Sequence, residues 1–299
     1  MCANLKKTIL NTIKPIIMPW NRMTLKSFYK EDKQLTEMNA SGAKVLFLAP
    51  HVDDETIGAG GTILRHVEQG DDVTVVYMTD GAKSVTKMDR DVLVKARKAE
   101  AQKVKEILGF RDMLFLDLPD GEVESTPDIQ NRLLELLENI KPEYIYCPTF
   151  VDCHSDHIAT AEIVADTLVN YNQDCMVRLY EINCPIPPEE INVIVDISQQ
   201  IVKKNLAIGV FTSQAIDFDG FQELSYIKQA LLNESNSKAV ETFLEIPSQQ
   251  YIVEAKSVID KRRNYNKHFK QVNKAVTLGV RVKKNAVQKQ KFYQERKMG

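Results

Sequence analysis

The chain has 299 residues, 43% of them hydrophobic and 27% charged, with a formal net charge of −2. That is enough chain to bury a large core, and the composition excludes a disordered or collagen-like polymer. No apolar run approaches the ~18–20 residues needed to cross a bilayer, so no span is expected.

The first 42 residues read as a basic leader, helical around Leu5 to Ile17 and ending at the turn-prone Asn39-Ala40-Ser41-Gly42. No small-residue cleavage site follows the Ile-rich patch that Lys14 and Pro15 interrupt, so a cytoplasmic chain is expected. Organised structure begins with a strand at Lys44–Ala49, a helix from Thr56 to Gln69 and a strand at Asp72–Met78. A polar loop with Lys83, Ser84 and Lys87 leads to a helix from Asp89 to Leu108, stopped by Gly109. A strand at Met113–Leu116, a helix at Asp128–Ile140 and a strand at Tyr144–Cys147 follow, then a helix from about His157 to Val169. Strands are expected again at Val177–Ile182, Asn192–Asp196 and Glu241–Ile246, with helices at Ser198–Ile208 and Phe221–Leu232. Strands alternating with helices, opening on an apolar first strand, predict a Rossmann-like α/β fold: a mostly parallel sheet with helices on both faces. The division expected is 1–42 leader, 43–250 core domain and 251–299 basic extension, the last as helix or disorder outside the core.

The chemistry concentrates where the first strand ends. Pro50 is followed by His51-Val52-Asp53-Asp54-Glu55, one imidazole and three carboxylates. Adjacent anions at the end of a core strand repel one another and lose hydration unless a cation or good donors sit among them. His51 and Asp54 can reach one metal ion from a single turn of chain. Taken alone, the stretch reads equally well as a helix cap, with Asp53 or Asp54 at the N-terminus and Glu55 favoured by the helix dipole. The balance shifts at His154-Ser155-Asp156-His157, just beyond the fourth strand. Sites in open parallel sheets form outside the carboxyl ends of strands, so the two motifs can share one pocket. His51, Asp54 and His157 are then candidate ligands, three protein donors with an open position as in catalytic zinc. Asp53 and His154 remain to act on water and substrate, and Asp156 to orient or charge the His154 imidazole. Spacing leaves open whether Asp53 or Asp54 is the ligand.

The pairing of Pro50-His51-Val52-Asp53-Asp54-Glu55-Thr56-Ile57-Gly58-Ala59-Gly60-Gly61 with His154-Ser155-Asp156-His157-Ile158-Ala159-Thr160 resembles the LmbE-like, or PIG-L, family of zinc-dependent N-acetylglucosaminyl deacetylases. The resemblance implies His51, Asp54 and His157 as ligands of Zn2+ or another divalent metal, Asp53 as general base, and His154 as acid or oxyanion stabiliser. It extends through Asp80-Gly81, Arg97-Lys98-Ala99-Glu100, Leu118-Pro119-Asp120-Gly121, Asp196-Ile197, Ser213-Gln214 and Glu241-Thr242-Phe243. Arg97 matches a family arginine that helps hold the sugar, and the implied substrate is an N-acetylated amino sugar or glycoconjugate. Val52 and Ser155 stand where the family usually has proline; neither change removes a functional side chain.

Other readings are weaker. The glycine run suggests a dinucleotide loop, but the carboxylates before it would repel a pyrophosphate. The five cysteines, Cys2, Cys147, Cys153, Cys175 and Cys184, are odd in number and contain no Cys-x-x-Cys pair, which disfavours a disulfide framework and fits a reducing compartment. Cys153 beside His154 suggests a thiol nucleophile, yet nothing else asks for thiolate chemistry. His66 and His268 are expected to face solvent. A sugar-binding or scaffolding relative without turnover is the non-enzyme alternative, which Asp53 and His154 argue against. The basic ends suit an anionic membrane surface, making the protein peripheral there, or an acidic partner or nucleic acid; a solvated tail is the bland alternative.

Overall fold

Every residue of β1 (Lys44–Ala49) after Lys44 is buried, because β1 is an interior strand with a neighbour on each side. The computed structural model describes residues 2–38, 42–83, 88–214, 216–233, 235–259 and 265–296. The remaining strands are β2 (Asp72–Thr79), β3 (Asp112–Leu118), β4 (Tyr144–Pro148), β5 (Met176–Tyr180), β6 (Val193–Asp196) and β7 (Val240–Pro247). They form one seven-stranded sheet in the order β3-β2-β1-β4-β5-β7-β6. The pairs from β3 to β5 are parallel, and β7 lies antiparallel between β5 and β6. The mostly parallel α/β fold expected from the pattern is therefore present, with one antiparallel strand inserted near an edge.

The helices are α1 (Cys2–Phe28), α2 (Asp54–Glu68), α3 (Arg90–Leu108), α4 (Pro127–Ile140), α5 (Ser155–Leu168), α6 (Ile201–Ile208), α7 (Asp219–Ile227), α8 (Ser248–Val258) and α9 (Leu278–Arg296). Helices α2, α3 and α6 pack together as one layer and α4, α5 and α8 as another, with α9 against α8 and α1. Strand order runs outward one way from β1 to β3 and the other way from β4 to β5, so the reversal falls between β1 and β4. In such sheets the crevice at the reversal is the usual ligand site. Helix α2 lies unusually close to the sheet: a Cβ on Gly58 would fall 2.5 Å from the Tyr180 ring and one on Gly61 2.6 Å from Ile197.

Several expectations change. Helix α1 runs well beyond Ile17, through Pro15 and Pro19, and Leu25 and Tyr29 near it are fully buried. Helix α2 begins at Asp54, so Glu55 does sit in its first turn. The turn expected at Asn39 to Gly42 falls, but for Gly42, outside the described residues, as do Ser84 and Lys87. His66 does not face solvent. It is 2% exposed, with Nδ1 2.7 Å from Asp71 and Nε2 2.8 Å from the Tyr146 hydroxyl, which itself accepts from Arg178. His268 is exposed, as expected.

The largest correction concerns the segment after Lys256, expected outside the core. Phe269, Val272, Leu278, Val282 and Tyr293 are buried in the same hydrophobic cluster as the sheet. On α9 the positions Leu278, Val282, Ala286, Lys289 and Tyr293 face inward, while Val280, Lys284, Val287 and Lys291 face out. The inward positions keep a helical rhythm that the density of lysines conceals. We expect Leu278→Ala to destabilise the protein by about 2–5 kcal/mol, as for core leucines, measured by denaturant unfolding. A change within about 0.5 kcal/mol, typical of a surface site, would return the segment to a loose tail.

Candidate metal centre and active site

Pairing between β1 and β4 covers only Val45–Phe47 and Tyr144–Tyr146, whereas β1 stays paired with β2 as far as Ala49. Beyond Phe47 the two strands separate, and both motifs enter the gap. Asp53, at the turn into α2, has φ 145°, a backbone region that strains any residue with a side chain. It is held by the first amides of α2: Thr56 and Ile57 donate to its carbonyl at 3.1 and 2.9 Å. Glu55, fully buried, accepts from the Asp53 amide and from the Thr56 hydroxyl.

Asp54 Oδ2 lies 3.2 Å from His51 Nδ1 and 3.2 Å from His157 Nε2, and also accepts from the His51 amide at 2.9 Å. Ionic N–H to carboxylate bonds are usually about 2.7–2.9 Å. Donors held at 2.0–2.1 Å from a tetrahedral zinc sit about 3.3 Å apart. The two nitrogen-to-oxygen distances are close to two edges of such a tetrahedron, so Asp54 could share a divalent metal with either imidazole. Among the described residues, the groups at this site whose donor atoms all lie within 4.8 Å of one another are His51, His154 and His157 and, separately, His51, Asp120 and Asp156. His154 is less suited, because its Nδ1 already accepts from the Asp156 amide at 3.3 Å as the N-cap of α5. That bond leaves Nε2 as the proton-bearing atom of a neutral ring.

Burial and hydrogen bonding organise the charges. Burial opposes charge on His157, but Asp54 and then Asp152 outweigh it and lift its pKa to about 10. For His51 burial is likewise overcome, by Asp120, Asp156 and Asp54, and its pKa is raised well above the ordinary value. The Asp54 carboxyl is driven far below the usual range because His157 and His51 outweigh its burial. Asp53 moves the other way: burial and then the Asp54 charge push it up to about 8, against Arg97, His51 and Gln214. Burial, then the charges of His51 and His157, lower His154 to about 4.

Arg97 is buried on α3 and donates to the Val52 carbonyl at 3.3 Å. Its positive charge lies close enough to Asp53 to lower that carboxyl's pKa. The Asp156 charge acts on the His154 ring, opposing the fall in its pKa, while its carboxylate is hydrogen-bonded elsewhere. It lies 3.2 Å from His51 Nε2 and accepts from the Gly121 amide at 2.7 Å. Ser155 occupies the first position of α5, where proline is favoured but not required.

Four residues were not singled out by sequence reasoning. Asp120 lies 3.3 Å from His51 Nε2 and 2.8 Å from the Lys83 amide. Asp152 faces His157 Nδ1 at 3.6 Å and is held by the Asn183 amide and side chain and by the His154 amide. Gln214 donates to Asp53 Oδ2 at 2.7 Å and to the Val52 carbonyl at 3.2 Å. Glu100, one turn from Arg97, accepts from Thr212 and twice from Ser213 and so presents Gln214 to Asp53. Asp120 and Asp152 carried a visible signal, an acid just beyond a strand. Gln214 and Glu100 lay inside stretches quoted for their resemblance, with nothing to mark their partners. The cavity over these groups has about 300 Å³, with Lys83, Ile216, Phe221 and Gln271 on its walls.

The family model described as "PIG-L: GlcNAc-PI de-N-acetylase" matches residues 46–168, which contain both motifs. The resemblance to the PIG-L family is borne out. A diacetylchitobiose deacetylase of Thermococcus kodakarensis is 31% identical over 121 residues, 40% of this chain and 45% of that protein. A probable N-acetyl-α-D-glucosaminyl L-malate deacetylase 2 of Bacillus anthracis is 28% identical over 147 residues, 46% of this chain and 65% of that protein. Among solved structures, N,N′-diacetylchitobiose deacetylase from Pyrococcus horikoshii, in complex with an inhibitor, superposes with a TM-score of 0.62. It has 25% identity, covering 70% of this chain and 86% of that one. The chain spans about half to two thirds of the length of these curated relatives. The family match ends at residue 168, so Asn183, Gln214 and Gln271 lie outside it.

Carboxylate partners of metal-binding histidines typically change metal affinity 10–100-fold when removed. We expect Asp152→Asn to weaken the binding of a divalent metal within that range while the fold persists, measured by competition with a chromophoric chelator. Unchanged affinity would remove Asp152 from the site.

Proposed function

We propose that the chain is a metal-dependent amidohydrolase that removes the N-acetyl group from an N-acetylglucosamine-type sugar or glycoconjugate. The observation that carries this is Asp54 Oδ2 standing 3.2 Å from both His51 and His157, with Asp53 and His154 flanking it in one cavity. His51, Asp54 and His157 would hold the cation, with zinc the metal that the family resemblance implies. When bound, it acidifies water and polarises an amide carbonyl. Asp53, steered by Gln214 and the Arg97 charge, takes the proton of the attacking water. His154, neutral and with its Nε2 proton directed by the bond at Nδ1, donates a hydrogen bond to the oxygen that becomes negative, and the proton that Asp53 has taken from water passes to the leaving amine. Asp156 and Asp120 orient His51, and the Asp156 charge and amide also act on His154. In this proposal the catalytic unit is 43–250, with 1–42 and 251–299 as extensions folded onto it.

The test is acetate release from free, nucleotide-linked, lipid-linked and glycoside-linked N-acetylhexosamines, with and without chelator. Acetate is expected from at least one, lost on chelation and restored by zinc. A fully metal-loaded protein that binds such sugars and releases no acetate from any would favour the non-catalytic relative. Asp53→Asn is expected to keep its zinc and lose at least about 10²-fold in kcat, as for a general base; unchanged turnover would sink that role.

A second proposal concerns the termini. No described helix is long and apolar enough to cross a membrane. On α1, however, Ile16, Trp20 and Met23 are 77%, 53% and 67% exposed on one face, with Lys26 nearby and also exposed. An apolar stripe beside basic residues suits peripheral contact with an anionic bilayer. Flotation with phosphatidylserine vesicles, lost in Trp20→Glu, is the expected outcome; no flotation at low salt would dismiss it.

A further inference from the structure

Two thiols face each other beside the cluster of histidines and carboxylates. Cys153 is partly exposed on the loop between β4 and α5, and Cys184 is fully buried in the segment after β5. Their Sγ atoms and a carboxylate oxygen of Asp152 all lie within 4.8 Å of one another. Burial pushes the Cys184 thiol well up, and its hydrogen bond with Cys153 adds to the rise.

The three groups also have the composition of a metal site, but Asp152 is already committed. Its Oδ1 accepts from the His154 amide at 2.9 Å and from the Asn183 side chain at 2.8 Å, and its Oδ2 accepts from the Asn183 amide. Taking a metal there would cost those bonds, whereas joining the two sulfurs costs none of them.

Both thiols sit on anchored backbone. The buried Lys289 ammonium on α9 donates to the Thr149 hydroxyl at 2.8 Å and to the Cys184 carbonyl at 2.7 Å, bracing the two loops against each other. Bond formation requires the sulfurs to close to about 2.05 Å, a movement open to side-chain rotation of the partly exposed Cys153. Cys147 and Cys175 are buried in or beside the sheet.

We propose that Cys153 and Cys184 form a reversible oxidation site at the edge of the active site, closed to a disulfide by peroxide. Cys153 meets the oxidant because it is the accessible thiol of the pair. Its sulfur attacks the peroxide, an S–O bond forms as the O–O bond breaks, and the departing oxygen leaves as water. Cys184 sulfur then attacks Cys153 sulfur, the S–S bond forms, and the S–O bond breaks to release a second water. Two electrons pass from the thiols to the peroxide, and both thiol protons end in water. The bridge ties the residue next to His154 to the residue next to Asn183, whose two N–H groups hold Asp152. Catalytic side chains tolerate displacements of only about 0.5 Å, so closure lowers turnover. Formation of the bridge is independent of the proposed reaction, and its effect on turnover rests on that reading.

The experiment treats the zinc-loaded full chain with hydrogen peroxide, blocks remaining thiols with N-ethylmaleimide and maps the peptides by mass spectrometry. A peptide pair joined through Cys153 and Cys184, lighter than its reduced parts by two hydrogens and released by dithiothreitol, is expected. It should be absent in Cys153→Ser and in Cys184→Ala. Both thiols labelled after oxidation, or Cys153 carried to sulfinic acid without the link, would overturn the proposal. So would a second equivalent of zinc lost in both variants, which would mark a metal site instead. Mapping needs no substrate, so it remains decisive if no acetylated sugar is turned over. Where one is, inactivation by peroxide should be reversed by dithiothreitol and absent in Cys153→Ser; equal inactivation of that variant would refute the effect on turnover.

Discussion

One carboxylate holds the arrangement together. Asp54 stands at the start of α2, and its Oδ2 is shared by an imidazole from the end of β1 and another from the first turn of α5, beyond β4. That sharing is possible only because β1 and β4 part company after Phe47 and Tyr146, where strand order reverses. A continued ladder would fill the gap with backbone. The helix dipole supports the same carboxylate from below, so topology, helix start and ligand geometry depend on one another.

The neighbouring acids follow from that centre. Asp120, Asp152 and Asp156 each face an imidazole and keep their pKa values lowered, Asp152 to about 2, even though burial acts against their charge. Asp53 is raised to about 8 by burial and the Asp54 charge, against the Arg97 and His51 charges and the Gln214 hydrogen bond. Two adjacent carboxylates are thereby pushed in opposite directions by environment alone. Such divergence commonly separates a ligand or electrostatic group from one that exchanges protons.

Much of this was legible in the chain. The strand ending at Ala49 and the pair of motifs located the crevice, since both depend on local pattern and strand-end geometry. The partners were less legible, because they come from distant segments. Nothing in Glu100 says that it will hold Ser213, or in Gln214 that it will meet Asp53. His66 looked like a helix-surface residue because its partner Tyr146 lies eighty residues on. Asp156 was paired with the histidine nearest in sequence, whereas its carboxylate turns across the crevice to His51. The apolar rhythm of α9 was present but hidden by its lysines.

The latter half of the chain does more than enclose the site. Glu241 of β7 accepts from the Gly61 and Thr62 amides and the Thr62 hydroxyl, fixing the glycine turn of α2 against the sheet. Lys204 of α6 neutralises Glu241 and donates to the Ile57 carbonyl, so a buried ion pair braces the helix that begins with Asp54. Lys289 of α9 does the equivalent on the other side through Thr149 and Cys184. An isolated buried ammonium is costly, and each of these is compensated by carbonyl, hydroxyl or carboxylate oxygens. Residues 46–168 supply the histidines and carboxylates of the cluster, but their positions are held by groups from 183 to 289. The matched segment is the chemical half of the site, and the rest of the chain is what makes that half rigid.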